Sequence, residues 1–194
     1  MADISDIETH PWAPFIPDNA RLLFLGTFPP GGHRWSMDFF YPNRSNDFWR
    51  IMALIFMGDP QALYDVEAKT FRLPAIKALL NEKGIAMGDT AYRVRRLKGN
   101  ASDKFLEIVE PVDLDALLRR MPMCRDIVTT GEKAGDTLAA LTGTATPAIG
   151  TYVETRLADG RSVRIWRMPS TSRAYPLKLE KKAAYYAALF RAIN

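Results

Sequence analysis

The chain has 194 residues, 47% apolar and 25% charged, with a formal net charge of +4, which suits one domain with a full core. Its longest strongly apolar run, Ile51–Met57, is too short to cross a bilayer, and the acidic opening MADISDIETH shows no secretory pattern. A single cysteine, Cys124, rules out an internal disulfide, and with His10 and His33 it leaves too few soft ligands for zinc or an iron–sulfur cluster, so cytoplasmic chemistry without metal or cofactor is expected.

Taken in chain order, Arg21–Gly26 is a short apolar run closed by glycine and reads as a buried strand. The stiff corner GTFPP comes next, then a segment dense in aromatics and amides. Ser45 is placed to cap a helix through about Met57, with Phe48, Trp49, Met52 and Ile55/Phe56 at three-to-four spacing. A second amphipathic helix spans Pro74–Lys83 and stops at Gly84. Gly84–Thr90 is another short strand, with a polar end. Leu114–Arg120 reads as helix, Arg125–Gly131 as strand and Glu132–Leu141 as helix. Two strands joined at Ala158-Asp159-Gly160 form a hairpin, and the chain ends in a helix with Leu179, Ala183, Tyr186/Ala187, Phe190 and Ile193 on one face.

Alternating strands and helices predict an α/β fold: a three-layer α/β/α sandwich around a mainly parallel sheet of about four strands, plus the small hairpin. One domain over residues 1–194 is expected, with 1–20 as an N-terminal extension. Ligands of such sheets bind outside the carboxyl ends of the strands. Those ends carry four loops here, GTFPP, GDTAYR, TTGEKA and MPSTSRAY, all rich in small, hydroxylated or amide-bearing residues.

Each loop offers chemistry beside a plain structural reading. Gly26 and Thr27 allow close approach to backbone, and Pro29-Pro30 stiffen the next turn of chain. Phe39, Phe40 and Tyr41 offer flat faces for stacking, or simply fill the core. Asn46 carries both donor and acceptor, or sits in a first helical turn. Asp89 ends an apolar strand, where it reads donors on a ring edge or caps the next turn. Ser170, Thr171 and Ser172 resemble a phosphate grip, with Arg173 and Tyr175 poised as a wedge. Charge is concentrated: residues 161–194 hold eight Lys/Arg against Glu180 alone, and AYRVRRLKGN, with Arg93 and Arg95, has no acid. Two such segments suit a polyanion, or are two solvated faces.

In this order the pieces resemble the uracil-DNA glycosylase superfamily. GTFPP matches its Gly-x-x-Pro catalytic loop, GIAMGDTAYR its base-reading strand, IVTTGEKA its third strand and helix, and MPSTSRAY its intercalation loop. YPNRSNDFWRIM is similar to the Asn-x-Phe-Trp segment of the mismatch-specific and hypoxanthine-type branches. The resemblance spans about Leu22 to Ala188. It implies a monomeric, monofunctional DNA glycosylase of base-excision repair that acts on damaged DNA, duplex or single strand. The enzyme would hydrolyse the N-glycosidic bond of a flipped deaminated base, uracil or hypoxanthine, without a cofactor. Many family members carry Asp or Asn where this chain has Phe28, leaving only the Phe28 backbone at that point. The resemblance passes the water-holding role to Asn46, with Asp38, Asp47 and His33 as further candidates. It assigns base binding to Gly26, Thr27, Phe39, Phe40 and Asp89, and DNA contact to Ser170, Thr171, Ser172, Arg173, Tyr175, Arg93 and Arg95. Asp89 stands where strict uracil readers have Asn, so strict uracil specificity is not implied. The alternative is a glycosylase-fold protein that binds nucleic acid without catalysis.

Overall fold

The computed structural model describes residues 6–98 and 102–194; residues 1–5 of the expected N-terminal extension and the end of the AYRVRRLKGN segment lie outside them. Strand β2 (Leu22–Gly26) is buried at every position because it runs through the middle of the main sheet. It pairs in parallel with β5 (Ile85–Asp89) on one side and β8 (Asp126–Thr130) on the other. Beyond β8 lies parallel β10 (Ser162–Met168), and beyond it β9 (Tyr152–Arg156), antiparallel at the edge. The order is β5-β2-β8-β10-β9. The expected mainly parallel sheet of about four strands is present as β5, β2, β8 and β10; the difference is one of size, since the hairpin's first strand, β9, extends the sheet to five.

Side chains of β2 alternate between the two faces, as the pleat requires. Leu22 and Phe24 enter a cluster with α1 (Phe48–Met57), α2 (Leu73–Lys83) and α5 (Leu179–Ile193). Leu23 and Leu25 join the opposite cluster with α3 (Leu114–Arg119) and α4 (Glu132–Thr142). Helices thus cover both faces. Two helix boundaries carry a message. α2 ends at Gly84, which is left-handed (φ +66°) and has no room for a Cβ, since one would come within 2.6 Å of the Asn19 carbonyl oxygen. α1 begins at Phe48, and Ser45 does not cap it: the Ser45 N–H and hydroxyl both donate to Asn43 Oδ1. A local Asx turn has won over helix extension.

A second sheet has no counterpart in the sequence pattern. β1 (Ile7–Thr9), β6 (Ala91–Arg96) and β7 (Leu106–Pro111) form an antiparallel unit in the order β1-β6-β7, and β3 (Tyr64–Asp65) and β4 (Thr70–Phe71) make a short ribbon. Residues 6–20 are therefore part of the packed body. β1 pairs with β6, and Phe15 and Met87 exchange backbone hydrogen bonds of 2.9 Å. Among the described residues no helix is long and apolar enough to cross a membrane.

Candidate functional site

The carboxyl ends of β2, β5, β8 and β10 open onto one cleft of about 900 Å³. Parallel strands of similar length deliver their loops to the same rim, so topology alone brings together segments far apart in sequence. The walls come from Gly26–Pro30, from Tyr41, Asn43 and Asn46, from Asp89 and Asp103, from Thr130–Lys133 and from Met168–Tyr175.

The floor is built around Gly26. The β2–β5 register sets it opposite Asp89. A Cβ at Gly26 would lie 2.6 Å from Asp89 Oδ1 and 3.1 Å from Tyr41 Oη, so the glycine is required by space. Tyr41 has a left-handed backbone (φ +53°), costly for a residue with a side chain. Its ring stacks on Phe48 at 4.1 Å and 8°, and its hydroxyl shares a 2.6 Å hydrogen bond with Thr130 Oγ1. Burial, reinforced by the negative charge of Asp89, pushes the phenol far above its ordinary value, so it stays protonated.

Asp89 is held from the far end of the chain. His10 Nε2 lies 2.6 Å from Asp89 Oδ2, with the two side chains 6% and 9% exposed. Burial raises the Asp89 carboxyl, while the His10 hydrogen bond and charge, then the Gly26 amide, pull it back. Asp103 is a second raised carboxyl on the cleft wall. Burial is again the main cause and the charge of Asp89 adds to it, against the nearby Thr27 hydroxyl, Lys133 and Arg96. The Thr27 hydroxyl is buried, with no partner at hydrogen-bond distance among the described residues.

The first loop is fixed from outside. Arg96 Nη2 donates to the Pro29 carbonyl and Trp35 Nε1 to the Pro30 carbonyl, both at 2.7 Å. Phe28 points its ring into a cluster with Ala91, Val94 and Leu106, so its side chain anchors the corner to the second sheet. Asn46 lines the cleft, with Oδ1 taking the Phe48 N–H at 2.9 Å. That occupies one of its two acceptor lone pairs and fixes the side chain, leaving the amide NH₂ and the second lone pair as its outward chemistry.

At the opposite rim, Ser170 Oγ accepts the Ser172 N–H and Ser172 Oγ accepts the Ala174 N–H, which frees both hydroxyl protons to donate outward. Lys182 anchors this loop from below: its Nζ donates to Asp47 Oδ2 at 3.0 Å and to the Ser172 carbonyl at 2.8 Å. Thr171 is buried, its carbonyl taking the Asp47 N–H, while Arg173 and Tyr175 stand at the rim.

Several expected site residues lie elsewhere. Phe39 and Phe40 are core side chains, 5% and 2% exposed, and Tyr41 is the member of that aromatic trio that reaches the cleft. Asp38 and His33 are exposed outside the lining, and Asp47 is buried behind it. Arg93 and Arg95 lie on β6, away from the cleft, already paired with Glu110 and Glu107 at 3.5 and 2.6 Å. His10, Asp103 and Lys182 carry no local signal in the sequence: each acquires its place through a partner distant in the chain, 79 residues away for His10 and 135 for Lys182. Among the described residues, no group of three or more His, Cys, Asp or Glu is arranged to hold a metal ion.

A solution NMR structure of a "putative Uracil DNA glycosylase" from Methanosarcina acetivorans superposes with a TM-score of 0.62 at 21% identity, covering 96% of this chain and 98% of that one. The chain has a uracil-DNA-glycosylase-like fold. No protein-family model and no curated protein matches it. On this glycosylase-like fold the cleft combines a protonated phenol, a carboxylate held at one oxygen, rim hydroxyls and the cationic side chains of Lys133, Arg167 and Arg173. Such a set can bind a polar ring at the floor and phosphates at the rim.

Proposed function

We propose that this protein is a monofunctional DNA glycosylase that hydrolyses the N-glycosidic bond of a flipped deaminated base, uracil or hypoxanthine, in base-excision repair. One observation carries this reading: residues 26–30, Asn46, Asp89 and 170–175, scattered along the chain, line a single cleft. The base enters over Gly26, where no side chain blocks its approach, and Asp89 Oδ1 receives a ring N–H. Tyr41 bounds the floor. The Asn46 amide holds the water. As the N-glycosidic bond breaks the base leaves with the bonding electrons, the water adds to the sugar carbon and its proton passes to the departed base. Asp103 in its ionised form steadies the cationic sugar. Ser170 and Ser172 donate to phosphates, and Arg173 and Tyr175 occupy the stack left by the flipped nucleotide.

The test is incubation with duplexes and single strands containing uracil or hypoxanthine, then alkali cleavage at abasic sites. Strand scission lost in Asn46→Ala and Asp89→Ala supports the reading; scission that persists in both removes the site assignment. The second reading, a binding protein without catalysis, is favoured by the Phe28 ring, which packs into the core of the second sheet where it offers no group to a water. It predicts tight lesion binding with no base release.

A further inference from the structure

The imidazole of His10 is enclosed by the rings of Phe28, Phe40 and Trp12, with centroids at 5.3, 5.7 and 5.9 Å. Its backbone N–H donates to the Tyr92 carbonyl at 2.7 Å, so its place is fixed as an extension of the β1–β6 pairing. Both ring nitrogens are occupied. Nε2 meets Asp89 Oδ2 at 2.6 Å, and Nδ1 lies 2.9 Å from the Trp12 carbonyl oxygen and 3.1 Å from the Trp12 nitrogen.

The Trp12 contacts have a consequence for the tautomer. A neutral imidazole has one donor and one acceptor, and an imidazolium has two donors. When His10 is neutral, Nδ1 accepts the Trp12 N–H; when it is protonated, Nδ1–H donates to the Trp12 carbonyl. Residue 12 can serve Nδ1 in either state, and wherever Asp89 is ionised Nε2 carries the proton toward it.

We propose that His10 is the positioning residue of base recognition: as an Nε2–H donor it occupies Asp89 Oδ2, so that Asp89 presents Oδ1 to the cleft purely as an acceptor and selects bases with a ring N–H. This rests on the glycosylase reading for the identity of the ligand, though not for the hydrogen-bond geometry. The other groups facing Asp89 agree with it. The Gly26 amide donates, and the Tyr41 phenol stays neutral. Asp103, the neighbouring acid, faces Lys133 and Arg96. A base whose ring nitrogen is methylated or unprotonated leaves Oδ1 buried against it with no donor, and sites built on such hydrogen bonds discriminate strongly.

Two measurements on the full chain test this. Long-range ¹H–¹⁵N spectra of the His10 ring report the tautomer directly, whatever the activity. The expected result is a ring that carries its proton on Nε2; a neutral ring protonated at Nδ1 alone overturns the proposal. The second is affinity for duplexes whose lesion nucleoside carries a 2′-fluorine, which destabilises the sugar cation and slows bond cleavage. One duplex carries uracil and the other N3-methyluracil. The wild type is expected to prefer uracil by at least about tenfold. His10→Gln, which retains an N–H donor, keeps that preference; His10→Phe, which fills the same aromatic cage without one, loses it. An unchanged preference in His10→Phe, or no preference in the wild type, overturns the proposal. Absence of base release alongside the expected tautomer and preference would count against the glycosylase reading and leave the role of His10 standing.

Discussion

Asp89 and Asp47 are largely buried carboxylates at and just behind the cleft, each tied to a side chain from an opposite end of the chain, yet they differ in what they face. Asp47 is turned away from the cleft: Lys182 takes Oδ2, Arg173 lies 3.4 Å from Oδ1, and its N–H is spent on the Thr171 carbonyl. Asp89 lines the cleft, with Oδ2 on His10 and Oδ1 over Gly26 at the floor. The Asp47 pair belongs to architecture, fastening the Ser-Thr-Ser loop to the start of α1. The Asp89 pair belongs to recognition. Access of the second oxygen to the cleft separates the two roles.

The sharpest way to break this contrast is to remove Asp47. Lys182 is 1% exposed, so Asp47→Ala strands a buried ammonium and is expected to lower stability by about 3–5 kcal/mol. Urea unfolding would show it as a fall in midpoint; a shift under about 1 kcal/mol, within the range of exposed pairs, would mean that Asp47 is no fastener. Gly26→Ala comes next and strikes function alone. Its methyl group would drive Asp89 Oδ1 and Tyr41 Oη from the floor, so base release is expected to fall about 100-fold, with stability changed far less.

Asp89→Asn probes the other member of the comparison through pH. Burial raises the Asp89 carboxyl, so the fold favours its protonated form. Stability from this group is therefore fullest below the ordinary carboxylate range and is lost as pH rises through the raised value. Recognition runs the opposite way, since the acceptor exists only above that value. Wild-type base release should thus fall on acidification at a pH above the ordinary Asp range. Asp89→Asn should be weak and flat with pH, and no less stable at neutral pH. A wild-type rate that holds steady down to the ordinary carboxylate range would contradict this.

The main sheet was legible because its strands are apolar runs closed by glycine or a hydroxylated turn, and burial on both faces leaves just that mark. The meeting of four loops at one rim came from the parallel order. The second sheet was hidden because β6 reads as a run of arginines. Its core comes from partners distant in the chain, Ala91 and Val94 against Leu106 and Phe28, with Arg95 opposite Glu107 and Arg93 opposite Glu110 on the surface, and such pairing has no short-range signature. The same holds for the site. Asp89 and Asn46 stood out by their position in motifs, whereas His10 became visible only once the N-terminal segment lay along β6. Among three consecutive aromatics, sequence offers no rule for which faces the cleft. That choice is made by the left-handed turn at Tyr41.

The smallest expected effect separates the two basic regions. Arg173 lines the cleft rim with a side chain 57% exposed and a loose 3.4 Å contact to Asp47, so its charge is available to a phosphate. Arg95 already has a 2.6 Å partner in Glu107 and faces away from the cleft. Arg173→Ala should lower DNA affinity and reduce the slope of log K against log salt by about 1, one counterion's worth. Arg95→Ala should leave that slope unchanged, because an arginine neutralised within the protein releases no counterion from DNA. Equal slopes for the two variants in a salt titration of lesion-duplex binding would place the DNA path across β6 as well. The cleft would then be one part of a wider interface.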